Sequence, residues 1–174
     1  MTRCFIAVYP IKNSVLEKVI DLQKEISKLI KGKAVEKENI HITISFLGEL
    51  KEGEIEIKKR KLRETASKLK RREILIEKIK AIPNTNFIKV IAANVCGLED
   101  VCEEVKKNVG GDAKPPHLTL LRVKSIIDRK KLLDIINNVE INENFEVDSI
   151  KLMKSTLTKN GPIYEIIETI DLLK

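Results

Sequence analysis

The only two histidines of the chain occur in the same local pattern of histidine, apolar residue, threonine and apolar residue. The first pattern, "HITI", begins at His41, and the second, "HLTL", begins at His117. Both are typical of β-strands, in which side chains alternate between two faces. His41 therefore shares a face with Thr43 and Ser45, and His117 shares one with Thr119. Each strand presents an imidazole and a hydroxyl on one side and apolar residues toward a core.

Two facing imidazoles are suited to acid–base chemistry at a phosphate. An unperturbed histidine has a pKa of about 6.5, so one ring can be neutral while the other is protonated near pH 7. The neutral ring accepts a proton from the attacking nucleophile and the charged ring donates one to the leaving oxygen, each typically worth about 10²–10⁴ in rate. A lone histidine on a strand is more often a packing residue. Two in equivalent positions favour phosphoryl chemistry, with threonine hydroxyls as donors to the phosphate oxygens.

The two histidine strands belong to an internal repeat. Each half of the chain is predicted to run strand, helix, histidine-bearing strand, helix, strand. Such a repeat indicates two similar lobes that face each other across a cleft. We predict one domain over 1–174, of α+β class, with two mainly antiparallel sheets and outer helices. The predicted elements are strand 3–10, helix 13–32, strand 40–47, helix 52–71, strand 73–83, strand 87–95, helix 98–108, strand 117–123, helix 128–138, and a hairpin of strands 144–158 and 162–173 around "KNGP".

The composition favours an anionic partner and excludes several other classes. The formal net charge is +7, which is typical of proteins that bind nucleic acid, whereas 3% aromatic residues and no Trp argue against a broad stacking platform. The three cysteines and two histidines have no metal-site spacing, so no metal is expected. No apolar run is long enough to span a bilayer, and the N-terminus has no signal-peptide pattern. We expect a cytoplasmic monomer without membrane contact.

Four stretches of the sequence together carry a family resemblance: "RCFIAVYP", "HITISFLGE", "PPHLTLLR" and "STLTKNGPIYEII". They resemble the 2H phosphoesterase superfamily, and within it the RNA 2′,3′-cyclic phosphodiesterases, formerly called 2′-5′ RNA ligases. The resemblance runs from about residue 2 to about residue 169. It implies a bilobal α+β fold with both motifs in a central groove. It also implies hydrolysis of an RNA 2′,3′-cyclic phosphate end, or of a small cyclic nucleotide, to a 2′-phosphomonoester without a cofactor.

The same resemblance implies roles for five residues. His117 activates water, and His41 protonates the departing 3′ oxygen. Thr43 and Thr119 anchor the phosphate, and Arg122 matches an arginine of the family that contacts the phosphate or lies along a base.

Arg122 and Phe46 each lie five residues after a histidine. Strict alternation turns Arg122 away from His117, so its role requires a β-bulge or a strand end. Alternation also places Phe46 on the core side of its strand, and we expect it to pack there.

Other functions remain open at this point. The same geometry run toward bond formation could join a cyclic phosphate end to a 5′-hydroxyl, as a 2′-5′ RNA ligase does. A binding protein that holds the RNA end by its phosphate without catalysing a reaction is an alternative outside the enzymes. A basic α+β domain with structural histidines is the third.

Overall fold

The computed structural model describes all 174 residues, which form four α-helices and nine β-strands. The predicted α+β class is confirmed. The strands are β1 (Thr2–Val8), β2 (Ile30–Ala34), β3 (Ile42–Leu50), β4 (Arg72–Pro83), β5 (Ile88–Cys96), β6 (His117–Ile126), β7 (Glu140–Val147), β8 (Ser149–Thr158) and β9 (Gly161–Asp171). The helices are α1 (Asn13–Ser27), α2 (Glu52–Ala66), α3 (Glu99–Asn108) and α4 (Arg129–Asn138), with a 3₁₀ turn at Lys37–Asn39.

All nine strands belong to one sheet, in the order β7-β4-β5-β6-β3-β1-β8-β9, with β2 paired to β6. Every pairing of these strands is antiparallel. The two histidine strands, β3 and β6, meet in the middle through a single residue pair, Ile42 with Leu118. We call β3, β1, β8 and β9 the first half-sheet, and β6, β5, β4 and β7 the second. The two predicted sheets are thus joined into one at this pair.

Each half of the chain contributes to the other half-sheet, β4 to the second and the β8–β9 hairpin to the first. Outward from the junction, β6, β5 and β4 occupy places equivalent to β3, β1 and β8. Strand β4 comes early in the sequence but pairs with β5, and β8 comes late but pairs with β1. The two half-sheets are therefore interlocked by the path of the chain.

The helices pack on the face of the sheet that carries Ile42 and Leu118, because apolar residues of all four helices belong to the same core as these two. In α1, five buried apolar residues recur at helical spacing: Val15, Leu16, Val19, Leu22 and Ile26. Helix α1 packs against β2, β6 and β7, α4 packs against β4, and α2 and α3 pack against β9, β3 and each other. A core of 40 buried residues fills this side of the sheet. No helix is both long and apolar enough to cross a membrane.

The predicted boundaries differ most from the structure at three places, where long-range backbone pairing overrides the local pattern. The first helix ends at Ser27 rather than at Gly32, because Ile30–Ala34 pairs with β6. The second helix ends at Ala66, because the backbone of Arg71 is bonded to that of Leu173. The predicted strand 144–158 is divided at Asp148, where the chain passes from the second half-sheet to the first.

The hairpin predicted around "KNGP" is confirmed. Thr158 pairs with Gly161, so Lys159 and Asn160 form a two-residue loop between β8 and β9.

We predict that Gly32→Ala destabilises the protein. A Cβ at this position would lie 2.1 Å from the backbone carbonyl oxygen of Arg122, so β2 would have to move away from β6. The expected cost is about 1–3 kcal/mol of unfolding free energy, measured by urea denaturation. Gly53→Ala in α2 is the control, because no atom lies within 4 Å of its added Cβ. Equal loss in the two variants would contradict the close approach of β2 and β6.

Candidate active site

The single pair that joins the half-sheets lies at the centre of both histidine motifs. Ile42 and Leu118 are fully buried, and the flanking residues project from the other face of the sheet. Because the pair is antiparallel, the histidine of each motif lies at the end where the other motif has its threonine. His41, Thr43, His117, Thr119 and Arg122 all line one cleft of about 390 Å³. The structure thus brings together the five residues singled out from the sequence.

A β-bulge follows the threonine in each motif. In β6, Thr119 pairs with Ala92 and Leu121 pairs with Ile91, so Leu120 is an extra residue. The bulge reverses the alternation of side chains beyond it. Arg122 therefore faces the cleft, and the bulge that its predicted position requires is present.

The equivalent bulge in β3 contradicts two predictions. Thr43 pairs with Ala7 and Ser45 pairs with Ile6, which leaves Ile44 as the extra residue. Phe46 therefore turns out of the core, is 49% exposed and lines the cleft.

Ser45 turns the other way. It does not share the cleft face with His41 but is fully buried, and its hydroxyl donates to the carbonyl oxygen of Gly110 at 2.9 Å. The internal repeat could have predicted both positions, because a bulge required after His117 is also expected at the same distance after His41.

The His41 ring is held on both sides. Its Nδ1 lies 2.7 Å from the carbonyl oxygen of Asn39. A carbonyl only accepts, so Nδ1 carries a hydrogen, and Nε2 of the neutral ring accepts from the hydroxyl of Thr43 at 2.8 Å. The rings of Phe5 and Tyr164 pack beside it at centroid distances of 5.1 and 5.3 Å. Burial lowers the pKa of His41, against the opposing effect of the Asn39 bond.

His117 is held on one side only. Its Nδ1–H donates to the carbonyl oxygen of Pro115 at 3.0 Å, whereas Nε2 has no hydrogen-bond partner in the protein. Burial lowers the pKa of this ring as well, and the nearby charges of Lys80, Lys114 and Arg122 lower it further. An imidazole with a free Nε2 lone pair in a cleft is available as a proton acceptor.

Arg122 is the one cation lining the cleft that has no ion pair. Lys33 lies 3.7 Å from Glu36, and Lys114 lies 4.0 Å from Asp112. The guanidinium of Arg122 is near enough to both histidines and to Tyr164 to shift their pKa values. An uncompensated guanidinium beside two imidazoles is suited to binding a phosphate.

Metal ligands do not cluster in this fold. No group of three or more His, Cys, Asp or Glu side chains is arranged to hold a metal ion. The cleft offers imidazoles, hydroxyls and a guanidinium instead.

Asn39 is a functional candidate that the sequence did not reveal. Its carbonyl positions His41, and its buried side chain donates from Nδ2 to the carbonyl oxygen of Pro162 at 2.9 Å. This second bond joins the His41 loop to β9, the strand that carries Tyr164. An asparagine in a loop has no distinctive sequence signal, whereas Tyr164 lies within the family-like stretch "GPIYEII".

A family model described as LigT-like phosphoesterase matches the chain in two stretches, residues 10–92 and 96–164, each with one histidine motif. The chain belongs to the LigT-like phosphoesterase family. The family resemblance of the four sequence stretches is thereby confirmed, and so is the enzyme class, a hydrolase of phosphoesters.

Relatives of this LigT-like phosphoesterase match over nearly their whole length. The RNA 2′,3′-cyclic phosphodiesterase of Methanocaldococcus jannaschii is 40% identical, with 95% of this chain and 98% of the relative covered. The protein of the same name from Aquifex aeolicus is 33% identical, with 97% and 96% covered. Among solved structures, TT0787 of Thermus thermophilus has a TM-score of 0.85 at 22% identity, with 98% and 97% covered. Escherichia coli LigT complexed with 3′-AMP has a TM-score of 0.73 at 17% identity, with 99% of each chain covered.

We predict that both histidines of this LigT-like phosphoesterase titrate below the ordinary value of about 6.5, because burial disfavours the charged ring. NMR titration of the ring protons measures this directly, and His41→Asn assigns the two signals. Since the unfolded chain then binds protons more readily, stability should fall as the pH drops below about 6.5. A pKa at or above 6.5 for either ring would contradict the described environment.

Proposed function

We propose that this phosphoesterase hydrolyses RNA 2′,3′-cyclic phosphate ends to 2′-phosphomonoesters by acid–base catalysis between His117 and His41. The observation that carries the proposal is the pair of imidazoles in one cleft, each with Nδ1 bonded to a backbone carbonyl. In both rings Nε2 is therefore the nitrogen that is left to exchange a proton with the substrate or with water. The names of the relatives, RNA 2′,3′-cyclic phosphodiesterase, support the substrate class.

His117 is assigned as the base. Its Nε2 has no partner in the protein, whereas Nε2 of His41 already accepts from Thr43. Nε2 of His117 takes a proton from water as the water oxygen attacks phosphorus. The product of this step is an imidazolium that carries a hydrogen on each nitrogen. Its Nδ1–H still donates to the Pro115 carbonyl, and its Nε2–H carries the proton taken from water.

His41 is assigned as the acid. In its protonated form Nδ1–H still donates to Asn39, and Nε2–H donates to the 3′ oxygen as its bond to phosphorus breaks. Thr43 and Thr119 donate hydroxyl hydrogens to the non-bridging oxygens, and Arg122 balances the charge that builds on them.

The substrate itself supports the protonation of His41. In the free protein burial and the positive charges of His117 and Arg122 hold the pKa of His41 down. A cyclic phosphate brings a negative charge into contact with the ring, which favours the charged form and raises this pKa. Bound substrate therefore favours the charged form of His41 that the acid role requires.

The walls of the cleft differ at equivalent positions. The exposed ring of Phe46 faces it from the first half-sheet, and Arg122 faces it from the second. An aromatic ring is a surface on which a nucleobase can stack, and a guanidinium binds phosphate. A small cyclic nucleotide and the end of an RNA chain present the same two groups, so we propose both as substrates.

We also propose that 1–174 is one bilobal domain built from a structural repeat. Three observations support it: the symmetric strand order, the two equivalent bulges and the two stretches matched by the family model.

We predict that His41→Ala and His117→Ala each lower the single-turnover rate by at least about 100-fold. The assay uses a short RNA with a 2′,3′-cyclic phosphate end, in EDTA, and the expected wild-type product is the 2′-phosphomonoester. The double variant should lose little more than either single one, because acid and base act as a unit. Lys61→Ala, an exposed residue of α2, is the control.

Each other outcome of this assay rejects a specific part of the proposal. Activity that survives both substitutions rejects the histidine mechanism, and loss of wild-type activity in EDTA rejects metal independence. Binding of the RNA end without turnover by wild type would indicate a binding protein. A joined product with a 5′-hydroxyl RNA, in place of hydrolysis, would indicate a ligase.

A further inference from the structure

A second set of polar side chains lies on the cleft side of the second half-sheet, beyond His117. Nζ of Lys80 donates to the side-chain oxygen of Asn94 at 3.1 Å. Nδ2 of the same Asn94 donates to Glu77 at 2.9 Å, and Glu77 also accepts from Cys96 at 2.9 Å. None of these four side chains has a part in the proposed acid–base steps.

Strand register places Lys80 on the same face as the catalytic groups. Lys80 pairs with Ala92, and Ala92 pairs with Thr119. Directly paired residues project from the same face of a sheet, so these three form a row across β4, β5 and β6. In the neighbouring row, Asn94 pairs with His117.

Only one small side chain separates the two ends of this row. Two strand spacings, roughly 10 Å, separate the backbone of Lys80 from that of Thr119. Ala92 lies between them, is fully buried and contributes only a methyl group. The stem of Lys80 reaches back over this floor toward Asn94 and His117.

The charge of Lys80 is not neutralised by a carboxylate. No ion pair involves Lys80. Glu77, which shares Asn94 with it, is occupied by the Asn94 amide and the Cys96 thiol, and these bonds lower its pKa. Asn94 therefore fixes the ammonium through a neutral oxygen, and the half-buried cation keeps an attraction for an anion.

We propose that Lys80 binds the backbone phosphodiester that joins the terminal nucleotide of an RNA to the nucleotide before it. This proposal rests on the proposed function, because it takes the cyclic phosphate to lie between the histidines. An RNA end differs from a cyclic mononucleotide in having a further phosphate one nucleotide away. Lys80 is the unpaired cation set back from the catalytic groups along this row, just beyond the residues that line the cleft. Arg122 does not belong to this row, because it lies three residues further along β6 than Thr119.

The test compares three substrates with wild type and Lys80→Met. The substrates are adenosine 2′,3′-cyclic phosphate, a diadenosine with a cyclic phosphate end, and the same dinucleotide with a neutral methylphosphonate linkage. Lys80→Met should lower kcat/KM about tenfold more on the charged dinucleotide than on the mononucleotide. The loss should be in KM, since this contact is remote from the reacting bonds.

Two further readouts separate a phosphate contact from an effect on His117. The substitution should add no specific loss on the methylphosphonate dinucleotide, and it should reduce the salt dependence of dinucleotide affinity by a slope of about 0.7. Lys78→Met is the matched control, because Lys78 lies on the same strand but pairs with Glu140 at 3.9 Å. It should leave all three substrates unchanged.

Equal loss on all three substrates would overturn the proposal and indicate that Lys80 acts through His117. No loss on any of them would overturn it as well. If wild type turns over none of the substrates, the proposed function is wrong, and binding affinities then decide the subsite. Wild type should still bind the charged dinucleotide about tenfold more tightly than the neutral one, and Lys80→Met should not; equal binding by wild type would overturn the subsite.

Discussion

The pairing of Ile42 with Leu118 is the constraint on which the site depends. It is the only residue pair between the two half-sheets, and both side chains are fully buried in the shared core. Because strand side chains alternate, burial of these two residues directs the flanking histidines and threonines to the opposite face. Because pairing stops there, the half-sheets separate and leave a cleft instead of a continuous ladder. The proposed chemistry therefore lies where the two half-sheets share a single residue pair.

The cleft is completed by irregularities in the same two strands. A bulge after each threonine reverses the alternation and brings Phe46 and Arg122 into the cleft from opposite sides. The two positions are equivalent in the fold but different in chemistry, one an apolar ring and the other a permanent cation. An internal repeat thus yields a cleft with two similar imidazoles and two dissimilar walls, and we propose that these walls distinguish the base from the phosphate of one nucleotide.

The sequence alone predicted those helices and strands whose local pattern of apolar residues agrees with the contacts that they make in the folded protein. Period-two alternation predicted the histidine strands, and helical spacing predicted the start of α1 and both bounds of α3 and α4 to within one residue. The convergence of His41 and His117 followed from the repeat. The conflict between the strand position of Arg122 and its expected role predicted a bulge or a strand end before it, and the structure has the bulge.

The remaining features depend on long-range contacts that local sequence does not encode. Residues 30–32 were predicted as the end of the first helix but belong to β2, which pairs with β6. Gly32 permits the close approach of the two strands, because a Cβ there would meet the carbonyl oxygen of Arg122. Phe46 and Ser45 were misplaced because one extra residue, Ile44, changes the face of the two residues directly after it. Asn39 positions His41 through a backbone carbonyl, an interaction that any residue type could make. Its side-chain bond to Pro162 depends on the hairpin being near.

The most direct test of paired acid–base catalysis is the pH dependence of kcat/KM and kcat on a 2′,3′-cyclic mononucleotide. One ring must be neutral and the other protonated, so kcat/KM should be bell-shaped. Its maximum should lie below about pH 6.5, because burial lowers the pKa of both rings in the free protein. The maximum of kcat should lie at higher pH, since bound phosphate raises the pKa of His41. A kcat/KM that rises to a plateau without an alkaline limb would contradict the account, because catalysis would then require only a neutral base.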